Sequence, residues 1–249
     1  MKKFIAFFDY LGFKDFIERN EIESQHRIMN SILVDIEMAL GQGKTKPDSR
    51  GVISDIDDSI IKCINFSDTV VFWTNDDTDD SLHEVLAVAY KFNFSSICFT
   101  FPVRGSIVYG DITHIDFKQS NNRGGLYNIN SLYGKGLVAA YLKAENQDWA
   151  GTVIDQTLVD KIALTGQDPS SVLNKYAKRY KVPYKKEMEN QNAEFVLRLT
   201  EGSLNTESFE NVSEDIKRNF GEYNKSIDST QVQKKLSNTI EFLKSFLNE

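Results

Sequence analysis

The stretch Phe4-Ile-Ala-Phe-Phe-Asp-Tyr-Leu-Gly-Phe13 constrains this chain most. Its apolar residues run on without alternating, which predicts a strand buried on both faces. Gly12 ends the run, and within it stands a single carboxylate, Asp9. A charge inside such a strand needs a partner. A metal ion is one candidate; the other reading places Asp9 at the strand's end, capping the following turn or helix.

With 249 residues, 41% of them hydrophobic and 26% charged, the chain suits one large domain, or one domain with an appendage. The net charge of -7 and the lack of any Lys/Arg run argue against nucleic-acid binding. Cys63 and Cys98 sit in apolar segments without ligand-type spacing, as buried reduced thiols would. Asp9 interrupts the apolar start too early for a signal peptide, and no segment approaches the length of a membrane span. The expectation is a cytoplasmic protein without a membrane anchor.

Helical spacing of Phe16, Ile17, Ile28, Ile32, Ile36 and Leu40 predicts an amphipathic helix over 14–40, broken near Asn20. Residues 41–58 read as a surface loop. Two β-rich runs, 60–66 and 69–74, meet at Ser67-Asp68 as a hairpin. The acidic run 75–80 lacks the glycine and the terminal glutamate of a calcium loop, and reads as a turn leading into a helix over 82–96. The segment 97–110 reads as a strand holding Arg104, which either pairs with a structural carboxylate or faces an anionic ligand. Residues 118–130 read as a loop. Tyr133-Gly-Lys-Gly136 opens a helix through Leu142, a short strand covers 151–155, and a helix follows to Leu164. Beyond that, 180–184 and 195–200 alternate like strands. Two amphipathic helices from Ser213 onward would cover the sheet or meet a second subunit.

The order β-α-ββ-α-β matches a ferredoxin-like split βαβ plan, an α+β fold with helices on one face. Residues 1–169 form the expected catalytic domain, with 170–249 as its elaboration. In this plan the first strand and the hairpin lie side by side, so Asp9 and Asp68 converge. Two close carboxylates repel unless a cation lies between them, and all-oxygen ligands favour magnesium or manganese.

Four segments in order carry a family resemblance: Phe7-Phe-Asp-Tyr-Leu-Gly-Phe13, Ser67-Asp-Thr-Val-Val-Phe72, Val103-Arg-Gly-Ser-Ile-Val-Tyr-Gly110 and Tyr133-Gly-Lys-Gly-Leu-Val-Ala-Ala-Tyr-Leu-Lys-Ala-Glu145. They resemble the landmark segments of class III nucleotidyl cyclases, and most of all the pyrimidine cyclases of bacterial Pycsar anti-phage systems. The resemblance spans residues 4–155, and Lys235-Leu-Ser-Asn-Thr-Ile-Glu-Phe242 is also similar to that subfamily. It implies cyclisation of a nucleoside triphosphate, UTP or alternatively CTP, to a 3′,5′-cyclic monophosphate and diphosphate. It implies two divalent ions, Mn2+ or Mg2+, held by Asp9, Asp68 and the backbone carbonyl of Tyr10. Phe7, Tyr10, Leu11 and Gly12 would lie along the triphosphate, with backbone amides as donors. A homodimer is implied, with the product read by a separate cyclic-nucleotide-responsive effector.

Purine cyclases of this family carry an Asn and an Arg on the helix matching Leu137 to Glu145. Here Leu137 or Val138 and Tyr141 or Leu142 stand at those positions. The purine-selecting position falls at Ile64, and the adenine-reading Asp falls near Ser131. The resemblance therefore implies a pyrimidine substrate or a silent site. Arg104, against phosphate charge, Tyr141, against ribose or base, and Lys143 are the candidates for the missing functions.

Overall fold

The computed structural model describes residues 2–49, 51–186 and 192–247. β1 (Lys2–Tyr10) runs through the middle of a seven-stranded sheet in the order β10-β11-β9-β6-β1-β5-β4. Its neighbours β5 (Thr69–Trp73) and β6 (Val103–Asp111) are both antiparallel to it. β4 (Lys62–Phe66) forms a hairpin with β5, and β9 (Gly151–Ile154) lies parallel to β6. β10 (Ala177–Tyr180) and β11 (Glu194–Leu197), from the C-terminal third, extend the same sheet at its far edge.

Successive side chains of β1 separate into two cores, as a strand's alternation requires. Phe4, Ala6, Phe8 and Tyr10 enter the larger one. There they meet α2 (Ile22–Leu40) and α3 (Asp79–Phe99), and the same core takes in α5 (Gln156–Leu164), α7 (Thr206–Gly221) and α8 (Thr230–Lys244). Ile5 and Phe7 point the other way, into a smaller cluster with Val71, Trp73, Val108 and Ala140. That cluster is covered by α4 (Lys135–Glu145), so the strand is buried on both faces but the helices are not confined to one. α4 can lie this close because glycines meet at the contact: a Cβ on Gly110 would come within 2.6 Å of the Gly136 Cα.

α1 (Phe13–Arg19) and α2 are separate helices, divided at Asn20, whose backbone is extended. Two segments read as loops contain hairpins instead. β2 (Thr45–Asp48) pairs with β3 (Gly51–Ser54), and β7 (Thr113–Ser120) with β8 (Leu126–Tyr133). Both are two-stranded ribbons outside the main sheet, so neither has a face fully packed on a core, and apolar residues of β7–β8, Phe117 and Leu126 among them, stand exposed. The strand expected at 97–110 begins only at Val103, because α3 continues to Phe99. The strand expected at 180–184 lies at 177–180, and a short α6 (Pro169–Leu173) has no counterpart in the sequence reading.

Cys63 is partly buried and Cys98 buried, and both are unpaired thiols. Among the described residues no helix is long and apolar enough to cross a membrane. The two tail helices share the main core through Ile216, Phe220, Phe242 and Phe246.

Candidate active site

Three chain segments end at the same edge of the sheet. Asp9, next to last in β1, stands in register with Thr69 of β5 on one side and Arg104 of β6 on the other. Asp68 precedes Thr69 in the two-residue turn of the β4–β5 hairpin, where Ser67 takes a left-handed φ of 55°. The turn is tied to β1 by a hydrogen bond from the Tyr10 N–H to the Asp68 carbonyl, at 2.8 Å. The hairpin thus brings the Asp68 charge near enough to repel Asp9.

Asp9 also has an intramolecular cation. Arg104 donates from Nε to Asp9 Oδ2 at 2.8 Å and forks toward Glu145, at the end of α4, through a charged hydrogen bond to the carboxylate and a 3.3 Å bond to its carbonyl. Of the two readings of Arg104, the structure shows the carboxylate pairing. Burial nevertheless lifts Asp9 above the usual carboxylate range; the Arg104 charge and hydrogen bond offset this in part, while Asp68 and Glu145 add to it. Glu145 is held below its usual range. Its burial opposes ionisation, but the Lys185 hydrogen bond and the charges of Arg104 and Lys185 outweigh it.

These groups line a cavity of about 630 Å³. Asp9, Tyr10, Leu11, Gly12, Asp68, Arg104 and Tyr141 all border it. The Tyr10 ring packs against Phe92 and Phe101 in the main core, which leaves its backbone as the group to offer a ligand. The Tyr10 and Leu11 amides already donate to the carbonyls of Asp68 and Pro102. Tyr141 is 48% exposed and sets its ring edge-on against Phe7, with centroids 5.9 Å apart.

Two of the expected nucleotide contacts do not border this cavity. Phe7 is buried in the α4-side cluster, and Ile64 packs on the same cluster from β4. Lys143 does not border the cavity either: it is bonded to Glu194, lies 3.5 Å from Asp155 and sits over the Tyr184 ring.

The donor set expected for a metal, Asp9, Asp68 and the Tyr10 carbonyl, is all hard oxygen. Among the described residues no group of three or more His, Cys, Asp or Glu is arranged to hold a metal ion. The pair fits an ion that draws its remaining ligands from water and substrate phosphate, as magnesium does, and fits poorly a site made only of protein ligands.

Several cavity residues have no counterpart among the sequence candidates: Glu145, Lys185, Lys225, Ser226, Gln231 and Lys235. Glu145 was within reach of the sequence, since it lies four residues after Tyr141 and therefore on the same helix face. The others come from the C-terminal third, where nothing in the sequence marked which lysines turn inward.

No protein-family model matches the sequence, and no curated protein matches it. Solved structures do. The guanylate cyclase domain of RhGC from Catenaria anguillulae, in complex with GTP, aligns at TM-score 0.52 and 11% identity over 79% of this chain and 96% of that one. The catalytic core of a rhodopsin-guanylyl cyclase with converted specificity, in complex with ATPαS, aligns at 0.52 and 11% over 79% and 94%. A dimeric guanylyl cyclase domain of the RhoGC fusion protein from the aquatic fungus Blastocladiella emersonii aligns at 0.51 and 12% over 79% and 95%. The α+β fold of this chain is that of class III nucleotidyl cyclase domains.

Proposed function

We propose that the chain is a nucleotidyl cyclase that converts a pyrimidine nucleoside triphosphate, UTP with CTP as the close alternative, to its 3′,5′-cyclic monophosphate and diphosphate. The observation that carries this reading is the meeting of Asp9 and Asp68 at one edge of a cyclase-type sheet, beside a cavity large enough for a nucleotide. Two of the similar structures hold a purine nucleotide, GTP or ATPαS.

In the reaction, the ribose 3′-oxygen attacks the α-phosphorus, the bond from phosphorus to the bridging oxygen of diphosphate breaks, and the hydroxyl proton leaves to solvent. Divalent ions, Mn2+ or Mg2+, would supply activation of that hydroxyl and neutralisation of the triphosphate. Asp9 and Asp68, with the Tyr10 carbonyl, would hold them. Arg104 would exchange Asp9 for phosphate oxygens while Glu145 keeps its guanidinium in place. Tyr141, half exposed at the cavity wall, would position the ribose or base. Ile64, the position at which the resemblance places purine selection, packs on the α4-side cluster rather than on the cavity, so the pyrimidine reading is supported by the sequence resemblance.

We also read the working unit as a homodimer. The outer side of α4 exposes Val138 and Leu142, Phe66 stands exposed on β4, and the β7–β8 ribbon exposes Phe117 and Leu126. One of the similar structures is dimeric. The product would act as a second messenger in anti-phage defence through a separate cyclic-nucleotide-responsive effector, a reading supported by the sequence resemblance alone.

The second reading is a silent cyclase-like module that binds a nucleotide without turning it over. The Arg104–Asp9 ion pair favours it, because the arginine neutralises a carboxylate that a metal would need. Incubating the full chain with manganese and each of the four common ribonucleoside triphosphates separates the two. A cyclic pyrimidine product supports the cyclase, and metal-dependent binding without diphosphate release supports the module.

A further inference from the structure

The C-terminal third contributes a wall of the cavity, and the wall is basic. After α7 the chain turns through Tyr223 and Asn224, both in the left-handed region at φ 62° and 57°. This turn is clasped to α1. Asn20 Nδ2 donates to the Tyr223 carbonyl at 2.6 Å, Asn224 Nδ2 to the Arg19 carbonyl at 3.3 Å, and the Ser226 N–H to Asp15 Oδ2 at 3.3 Å. Residues willing to adopt a positive φ are uncommon outside glycine, so a clasped pair marks a turn whose direction is determined by its surroundings.

The direction it sets is that of Lys225. Its stem lies on Gly12, at the end of β1, where a Cβ would come within 3.0 Å of the Lys225 Cδ. Its ammonium donates to the Asn219 carbonyl at 2.6 Å and sits 3.8 Å from the centroid of the Phe101 ring. Only 7% of the residue is exposed, and among the described residues no carboxylate forms an ion pair with it. Burial pulls this amine down to about 7, and the charge of Glu222 offsets only part of that cost.

Lys235 arrives from α8 at the same cavity, its side chain 12% exposed. Asp148 pairs with it at 3.7 Å and with Lys234, through its other oxygen, at 2.8 Å. Burial, together with repulsion from Arg104 and Lys185, pulls Lys235 below the usual lysine range against the attraction of Asp148. The cavity therefore gathers cations that repel one another, next to two carboxylates that do the same. A metal-bound polyphosphate relieves both repulsions, its cations on the acidic side and its oxygens on the basic side.

We propose that Lys225 and Lys235 are polyphosphate-binding residues, so that the C-terminal segment is part of the site. This rests on the nucleotide reading above but assigns the contact to the C-terminal segment, where Lys225 lies outside every resemblance-bearing stretch and Lys235 opens the similar tail without a role attached to it. Inorganic tripolyphosphate with magnesium, titrated calorimetrically into the full chain, tests it apart from base choice and turnover. Lys235→Ala and Lys225→Met should each weaken binding by roughly tenfold to a hundredfold, whereas Lys244→Ala, at the exposed end of α8, should leave it unchanged. Lys235→Ala decides if Lys225→Met does not fold. Equal tripolyphosphate binding by Lys235→Ala and the unaltered chain overturns the proposal. If lysine-dependent binding is found in a chain that cyclises no nucleotide, the basic wall stands and the cyclase reading falls. If the chain cyclises UTP or CTP and Lys235→Ala leaves KM unchanged, the cyclase stands and the basic wall falls.

Discussion

Asp9 is the residue with most at stake, because burial, an arginine and a second carboxylate all act on it. Removing the charge of its neighbour Asp68 relieves repulsion but also removes a proposed metal ligand. Asp68→Asn should therefore abolish metal-dependent turnover, by about a hundredfold or more, while leaving the fold intact, since the turn is held through the Asp68 carbonyl rather than its side chain. Activity together with a thermal melt checks this, and full activity would remove Asp68 from the metal site. Lys225 gives a prediction in the opposite sense. Its pKa falls from 10.5 in the unfolded chain to about 7 in the fold, so between those values the unfolded chain binds the additional proton and stability rises with pH. Below about pH 7 both states are protonated and the contribution is level. Melting temperature followed from pH 6.5 to 9 should climb in the unaltered chain relative to Lys225→Met, in which this slope is absent.

At the scale of elements, the site depends on α4 lying close enough to the sheet for Tyr141 and Glu145 to reach the cavity. Gly110 and Gly136 make that approach possible, and a Gly110→Val change would drive branched carbons into the α4 backbone. Such overpacking costs about 1–3 kcal/mol, which for a chain of this size lowers the melting temperature by several degrees. It should reduce turnover further than that loss of stability explains, because Glu145 moves away from Arg104. The elements that build this edge were the legible ones. A double-faced apolar run, a hairpin broken at Ser67-Asp68 and a helix opening at Gly134-Lys-Gly136 each leave a mark, because burial on a fixed period selects residue types. The β2–β3 and β7–β8 ribbons were read as loops, since strands that bury little surface are flanked and interrupted by the same polar and glycine residues as loops. The inward direction of Lys225 was invisible for a related reason. An inward lysine and an outward one look alike until a clasped turn, here Tyr223-Asn224, fixes the direction.

Across the whole molecule, the C-terminal third is not peripheral. It extends the sheet through β10 and β11, fills the main core with α7 and α8, and walls the cavity. The surface outside both cores carries the exposed apolar residues of α4, β4 and the β7–β8 ribbon. If that surface joins two copies, Val138→Glu should shift the sedimenting species from dimer to monomer and reduce activity with it, whereas a monomeric, fully active parent chain would refute the homodimer. The central claim is narrower than either of these features: two aspartates at one sheet edge serve pyrimidine nucleotide cyclisation. It is tested most directly by incubating the full chain with manganese and UTP, CTP, ATP or GTP in turn and identifying the products by mass. The account predicts cyclic UMP or cyclic CMP, absent from Asp9→Ala and Asp68→Ala. Cyclic products from the purine nucleotides alone, or no cyclic product from any of the four, would contradict it.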